Sequence, residues 1–274
     1  MIRHRIITSR IIAAIVLLLS VFTSNAASTP ADTIRVLYIG NSYTYYNNLD
    51  SMVSKIGMHI GKNQRIKVDA KRVTPGGTSF KQHLGNKAEL EALAEGGWDY
   101  VVLQEKSDEP ARSTSHVIKE VYPYARKLVE LAHKSSPDAQ IIFYMTWGRK
   151  YGYKHPSVTN YPPLDTYETM QSRLITSYLE MAYDNDAWCA PVGIAWQRVM
   201  TERPYITLYN PDGSHPSAIG TYLAANVIFA TITRKPYQSS YTAGLDPELA
   251  EYLQQVAQQT VFSNLELLNI PEQK

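Results

Sequence analysis

Apolar residues recur in two alternating rhythms along this chain. Residues 34–39 form a short apolar run that stops at Gly40, the pattern of a buried strand. Leu49, Met52, Val53, Ile56 and Ile60 follow at three- and four-residue spacing, which predicts a helix closed by Gly61. Residues 66–73 alternate as a second strand and end at Pro75-Gly76-Gly77. The pattern then predicts a helix over 79–95, a strand over 98–103, and a helix over 116–135 through Val117, Val121, Leu128 and Leu131. A strand over 140–145, a helix over 165–183 and a last strand over 187–192 come next, then closing helices over 216–233 and 247–262. Pro216 suits a first helical position, where its missing N–H costs little. Five strands separated by helices read as a parallel sheet covered on both faces. Such sheets bind ligands in the crevice beyond the carboxyl ends of their strands.

Composition narrows the picture. The 274 residues are 44% hydrophobic and 19% charged, a globular balance. Lys+Arg is 27 against 25 for Asp+Glu, and no basic run occurs after the first ten residues, which argues against nucleic acid as a partner. Arg3, Arg5 and Arg10 precede an apolar stretch, 11–21, too short to span a bilayer comfortably. Ser24-Asn25-Ala26 fits the small-x-small rule, so residues 1–26 read as a secretory signal peptide, with an uncleaved anchor as the alternative. Cleavage changes the net charge from +2 to −1 and predicts a secreted or periplasmic protein without a stable membrane span. Residues 27–33 read as a linker and 34–274 as one domain. Cys189 is the only cysteine and has no internal disulfide partner; its flanks, Ala187-Trp188 and Ala190-Pro191, read as buried strand.

Three features carry candidate chemistry, and each has an ordinary structural reading too. Ser42 sits just past the first strand behind Gly40-Asn41; a serine there is also a common helix cap. Asp212-Gly213-Ser214-His215-Pro216 places an acid three residues before a histidine, the pairing that orients an imidazole base, although each can instead cap a turn. Gly76, Gly77 and Gln104 follow the second and third strands and offer donors for a developing oxyanion, or a turn and a polar strand end. Neither a phosphate-binding loop nor a G-x-S-x-G nucleophile elbow is present. His59, His83, His116, His133 and His155 lack metal-type spacing.

The order of these blocks resembles the SGNH (GDSL-type) hydrolase superfamily. The matching residues are Ile39-Gly40-Asn41-Ser42-Tyr43-Thr44, a glycine after strand two, an amide after strand three, and Asp212-x-x-His215. Gly-Asn-Ser-Tyr-Thr and Asp-Gly-Ser-His-Pro-Ser are similar to phrases of an exported bacterial branch. The resemblance implies a single three-layer α/β/α domain of flavodoxin-like architecture with a mostly parallel five-stranded sheet. It implies Ser42 as nucleophile, His215 as base and Asp212 as its orienter. The oxyanion hole would be the Ser42 N–H, a glycine N–H at Gly76 or Gly77, and the Gln104 amide. The chain departs from the family in its third block, which reads Val102-Leu103-Gln104-Glu105 where Gly-x-Asn-Asp is usual.

The implied activity is a secreted serine esterase without metal or organic cofactor. Its expected substrate is a small-molecule or glycan ester, with acetylated carbohydrate favoured because 20 tyrosines and four tryptophans could stack on sugar rings. Asn41, Trp147 and Arg149 are the candidate substrate contacts. The alternatives are a non-hydrolytic glycan-binding module of the same fold and an O-acetyltransferase on the same triad.

Overall fold

Strand β1 (Thr33–Ile39) runs between β2 (Lys67–Val73) and β3 (Tyr100–Leu103), and all three are parallel. Beyond β3 lie β4 (Gln140–Tyr144) and β5 (Trp188–Ala190), giving the parallel order β2-β1-β3-β4-β5. The computed structural model describes residues 33–61, 64–153 and 161–272. The expected leader, and the expected linker apart from Thr33, lie outside these residues; Thr33 itself opens β1. Val36, Leu37, Tyr38 and Ile39 are fully buried, as a strand covered on both faces requires. Edge strand β2 instead exposes Lys67, Asp69, Lys71 and Arg72, charges that discourage pairing with another chain.

Helices cover both faces. On one, α2 (Leu49–Met58) packs against α9 (Ala218–Thr233), which also meets α8 (Val192–Glu202) and α10 (Pro247–Phe262). On the other, α4 (Lys87–Glu95) packs against α6 (Tyr122–Ser135), which meets α7 (Tyr167–Asp184). Helix α9 is apolar nearly all round and almost wholly buried, so it has no polar face to offer water. Cys189 is buried in β5, and burial pushes its thiol well above its ordinary range, which leaves it an inert core residue. Among the described residues, no helix is long and apolar enough to cross a membrane.

Several boundaries differ from the sequence expectation. The helix expected over 79–95 is two, α3 (Phe80–His83) and α4, because Asn86 restarts the chain by accepting from the Ala88 N–H. The helix expected over 116–135 is α5 (Thr114–Glu120) followed by α6, broken at Val121. Pro123 lacks an N–H and fits only a first turn, so it opens a new helix instead of continuing one. Helix α2 stops at Met58, and the Ile66 N–H reaches back to the Gly57 carbonyl. The last strand ends at Ala190; Pro191 then starts α8, a helix not anticipated from the pattern, with Val192, Ala195, Trp196 and Val199 turned inward. Pro216 precedes α9, whose cap is Ser217 accepting from the Gly220 N–H.

The sheet register positions the site. Ile39 pairs with Val73 on one side and Leu103 on the other, and Leu103 pairs with Phe143. Strands β1, β2, β3 and β4 therefore end near one level. The segments that follow them, at Gly40, Thr74, Gln104 and Met145, share the same edge.

Candidate active site

The chain leaves β1 through Gly40-Asn41 and turns at once into a short helix, α1 (Ser42–Tyr45). The Asn41 side chain caps this turn by accepting from the Tyr43 N–H at 3.2 Å, and its carbonyl accepts from the Thr44 and Tyr45 N–H groups. Gly40 is needed for packing. A Cβ there would lie 2.6 Å from Thr44 Oγ1 and 2.8 Å from Gln104 Oε1. Among the described residues, the Ser42 N–H has no hydrogen-bond acceptor, as befits the first turn of a helix.

A second arm comes from the loop before α9. The Asn210 N–H donates to the His215 carbonyl at 2.8 Å, and the Gly213 N–H donates to the Asn210 carbonyl. Gly213 has φ +66°, a left-handed conformation that favours glycine. The Lys150 N–H pins this loop from the end of β4 by donating to the Gly213 carbonyl at 2.8 Å. Inside the turn, Asp212 Oδ1 accepts from the Ser214 and His215 N–H groups, both at 2.9 Å. Asp212 Oδ2 lies 2.5 Å from His215 Nδ1, and His215 Nε2 lies 2.9 Å from Ser42 Oγ. Ser42 and His215 are 173 residues apart in sequence.

The electrostatics follow from these contacts. Burial alone would push the Asp212 carboxyl up, but hydrogen bonds from the His215 ring and from two backbone N–H groups outweigh it and hold the acid below its usual range. An ionised Asp212 fixes the proton on Nδ1, which leaves Nε2 free to accept from the Ser42 hydroxyl. Tyr46 stacks on the imidazole at 4.4 Å with planes 14° apart, and Tyr43 meets its edge at 5.7 Å. The Tyr43 hydroxyl in turn lies 2.7 Å from Ser214 Oγ. Behind Tyr43, Trp147 stacks at 4.6 Å and Trp196 stacks on Trp147 at 3.9 Å. The Ser42 turn and the Asp212–His215 loop thus rest on one buried aromatic column.

Chains sharing this fold are known. Neither a protein-family profile nor a curated protein matches the sequence. Solved structures do. A candidate SGNH hydrolase from Slackia heliotrinireducens is similar at 28% identity, covering 73% of this chain and 100% of its own, with a TM-score of 0.55. The chain belongs to the SGNH superfamily of ester hydrolases. A DUF4886 family protein from Bacteroides uniformis shares the SGNH-type fold over 88% of this chain and 98% of its own, at 21% identity and a TM-score of 0.64. So does an acetyl xylan esterase from Geobacillus stearothermophilus, over 76% and 99%, at 16% identity and a TM-score of 0.53.

Against the SGNH pattern, the structure brings Ser42, Asp212 and His215 together but uses Gln104 differently. Gln104 is fully buried. Its Oε1 accepts from the Asn41 N–H at 2.9 Å and the Thr44 hydroxyl at 3.0 Å, while its Nε2 donates to the Glu105 carbonyl. The expected oxyanion donor is therefore a brace for the turn that carries Ser42. The longer side chain folds back onto its own strand end instead of reaching the crevice. Glu105 braces the opposite wall: both its oxygens accept from the Phe80 N–H, at 3.0 and 3.1 Å, which ties down the loop carrying Gly76 and Gly77. Burial pushes the Glu105 carboxyl up to about 8, with the backbone donors pulling against that shift. Asn41 Nδ2 holds the same loop through the Thr78 carbonyl at 3.1 Å. Gly77, at φ +68°, has open space around it, and Gly76 lies beside the Tyr45 hydroxyl.

The expected substrate contacts also divide. Trp147 is fully buried, and its indole N–H donates to the Ser214 carbonyl, so it supports the Asp212–His215 loop and is closed to a ligand. Asn41 is buried and engaged as a cap. Arg149 is half-buried at the crevice. All four tryptophans are buried, which removes them as sugar platforms. Tyr45, 37% exposed, and Tyr151, 71% exposed beside Gly213, are the aromatic surfaces open at the rim. Tyr43 and Ser214 stand inside the two sequence motifs without an expected role of their own, and Tyr46 lies outside them. The available signal was that Tyr46 lies one helical turn beyond Ser42.

Proposed function

We propose that this ester hydrolase is an exported serine esterase acting on small acyl esters, with acetyl esters of carbohydrates the favoured substrates. The observation that carries the reading is the continuous relay Asp212 Oδ2–His215 Nδ1, His215 Nε2–Ser42 Oγ at 2.5 and 2.9 Å. In the forward step the Ser42 oxygen bonds to the ester carbonyl carbon while His215 Nε2 takes the hydroxyl proton. The tetrahedral adduct collapses, the C–O bond to the alcohol breaks, and His215 returns the proton to that alcohol. Water repeats the sequence on the acyl-enzyme and releases the carboxylic acid. With Gln104 engaged elsewhere, the oxyanion falls to backbone donors, the Ser42 N–H and those of the Gly76-Gly77 loop. The acetyl preference draws support from the fold shared with an acetyl xylan esterase, and export from the Arg-rich, apolar segment ending at Ala26. Purified protein assayed on 4-nitrophenyl acetate and acetylated glycans tests the reading. Hydrolysis that persists in folded Ser42→Ala would reject it.

A further inference from the structure

Arg149 follows β4 on the edge where the triad stands. Its backbone N–H packs on Met170 Sδ at 3.3 Å, and the next N–H, of Lys150, holds the Asp212–His215 loop through Gly213. Its side chain crosses toward the loop after β3, where Nη2 donates to Ser107 Oγ at 3.1 Å and the guanidinium lies 4.2 Å over the Tyr153 ring. Nε is buried without a partner, and Nη1 makes no hydrogen bond among the described residues. Two other cations on this edge are compensated: Arg112 by Asp108, and Lys106 by Asp108 and Glu109. Arg149 has no carboxylate within 4.0 Å among the described residues, and the sequence 154–160 contains no acid. The charge is felt at the site, since the buried Tyr43 phenol, adjacent to Ser42, senses both Arg149 and Asp212.

A half-buried guanidinium with Nη1 unpaired and no carboxylate beside it among the described residues is costly unless a ligand supplies the acceptor. Its planar fork suits a carboxylate in particular. We propose that Arg149 binds a carboxylate of the substrate, so that the preferred ester is carried on an acidic sugar or another carboxylate-bearing alcohol. This rests on the esterase reading and specifies its substrate class. Lys150, whose ammonium lies over the exposed Tyr151 ring with no acidic partner among the described residues, adds a second positive charge to the same rim.

The test compares O-acetylated galacturonic acid with its methyl ester, which differ in the carboxylate charge. For the wild type, kcat/KM on the acid should exceed that on the methyl ester by about tenfold to a hundredfold at low ionic strength, chiefly through KM. The ratio should shrink with added salt. It should fall to about one in Arg149→Gln and be partly kept in Arg149→Lys, which retains charge without the fork. Because both rates come from one preparation, the ratio does not depend on the fraction folded. A wild-type ratio near one, or a full ratio in Arg149→Gln, overturns the proposal. If the wild type fails on 4-nitrophenyl acetate, the esterase reading fails separately. Calorimetry with galacturonate and its methyl ester then decides: selective binding of the acid that Arg149→Gln abolishes upholds the carboxylate site, and equal or absent binding overturns it.

Discussion

Of the three histidine–carboxylate pairs among the described residues, all of nearly equal length, two have opposite character. His215 and Asp212 lie 2.5 Å apart on a loop at the carboxyl edge of the sheet, where the histidine is about a quarter exposed at 27%. His83, at the end of α3, and Glu89, in the first turn of α4, lie 2.6 Å apart with neither side chain exposed. In the first pair the acid is held ionised by donors around it. In the second, burial pushes His83 down to about 4 and Glu89 up to about 7, so the uncharged forms are favoured. His215 Nε2 meets Ser42; His83 Nε2 and Glu89 Oε2 meet no polar atom. A short contact between a histidine and an acid is therefore not what makes a base. The pair also needs an ionised acid, a third group that can give its proton to the imidazole, and a route to the crevice.

The largest expected effect removes that third group. Ser42→Ala should lower kcat on 4-nitrophenyl acetate by at least about 10³-fold without unfolding the protein, checked by steady-state kinetics beside circular dichroism. Unaltered turnover would place the two pairs on the same footing.

The next test makes the same chemical change in both pairs. Asp212→Asn should cost about 10²- to 10⁴-fold in kcat, because a neutral amide neither enforces the Nδ1–H tautomer nor stabilises imidazolium. Glu89→Gln should leave turnover intact. A fall in turnover with Glu89→Gln would tie the buried pair to the site.

Glu89→Gln has its own readout in stability. The raised Glu89 pKa means that the folded protein keeps a proton which the unfolded chain releases near its ordinary value of 4.5. Stability from this group is thus present at low pH and lost as pH rises through about 7. Relative to wild type, Glu89→Gln should gain about 2–3 kcal/mol between pH 5 and 8, measured by urea unfolding. His83, with its lowered pKa, acts in the opposite sense in this window, so the difference between the two proteins is the quantity to follow. A difference that stays constant with pH would mean that Glu89 does not hold the proton.

The smallest effect concerns the ring over the His215 imidazole. Tyr46→Ala should lower kcat about two- to tenfold, the weight of one aromatic stack, with Tyr46→Phe restoring most of it. Restoration by Phe would separate stacking from any role of the hydroxyl.

Much of this architecture is written locally. Short apolar runs such as Val36 to Ile39, stopped at once by Gly40, read as strands covered on both sides, and their alternation with helical spacing leaves a parallel sheet as the economical arrangement. Ser42 and the Asp212–His215 turn were legible for the same reason: each is a short-range feature, a strand exit and a tight loop whose backbone bonds stay within a few residues. The breaks at Val121 and Asn86 and the whole of α8 were less legible, because a proline or an asparagine inside an apolar rhythm resets a helix without changing the rhythm. What only the tertiary structure decided is direction and partnership. Gln104 could have faced the crevice or its own loop, and the Asn41 N–H and Thr44 hydroxyl, 63 and 60 residues away, turned it inward. His83 found Glu89, and Trp147 was sealed behind Tyr43, through contacts that no periodicity encodes. Periodicity reports which face of an element is apolar; which polar atom meets which depends on how distant elements converge.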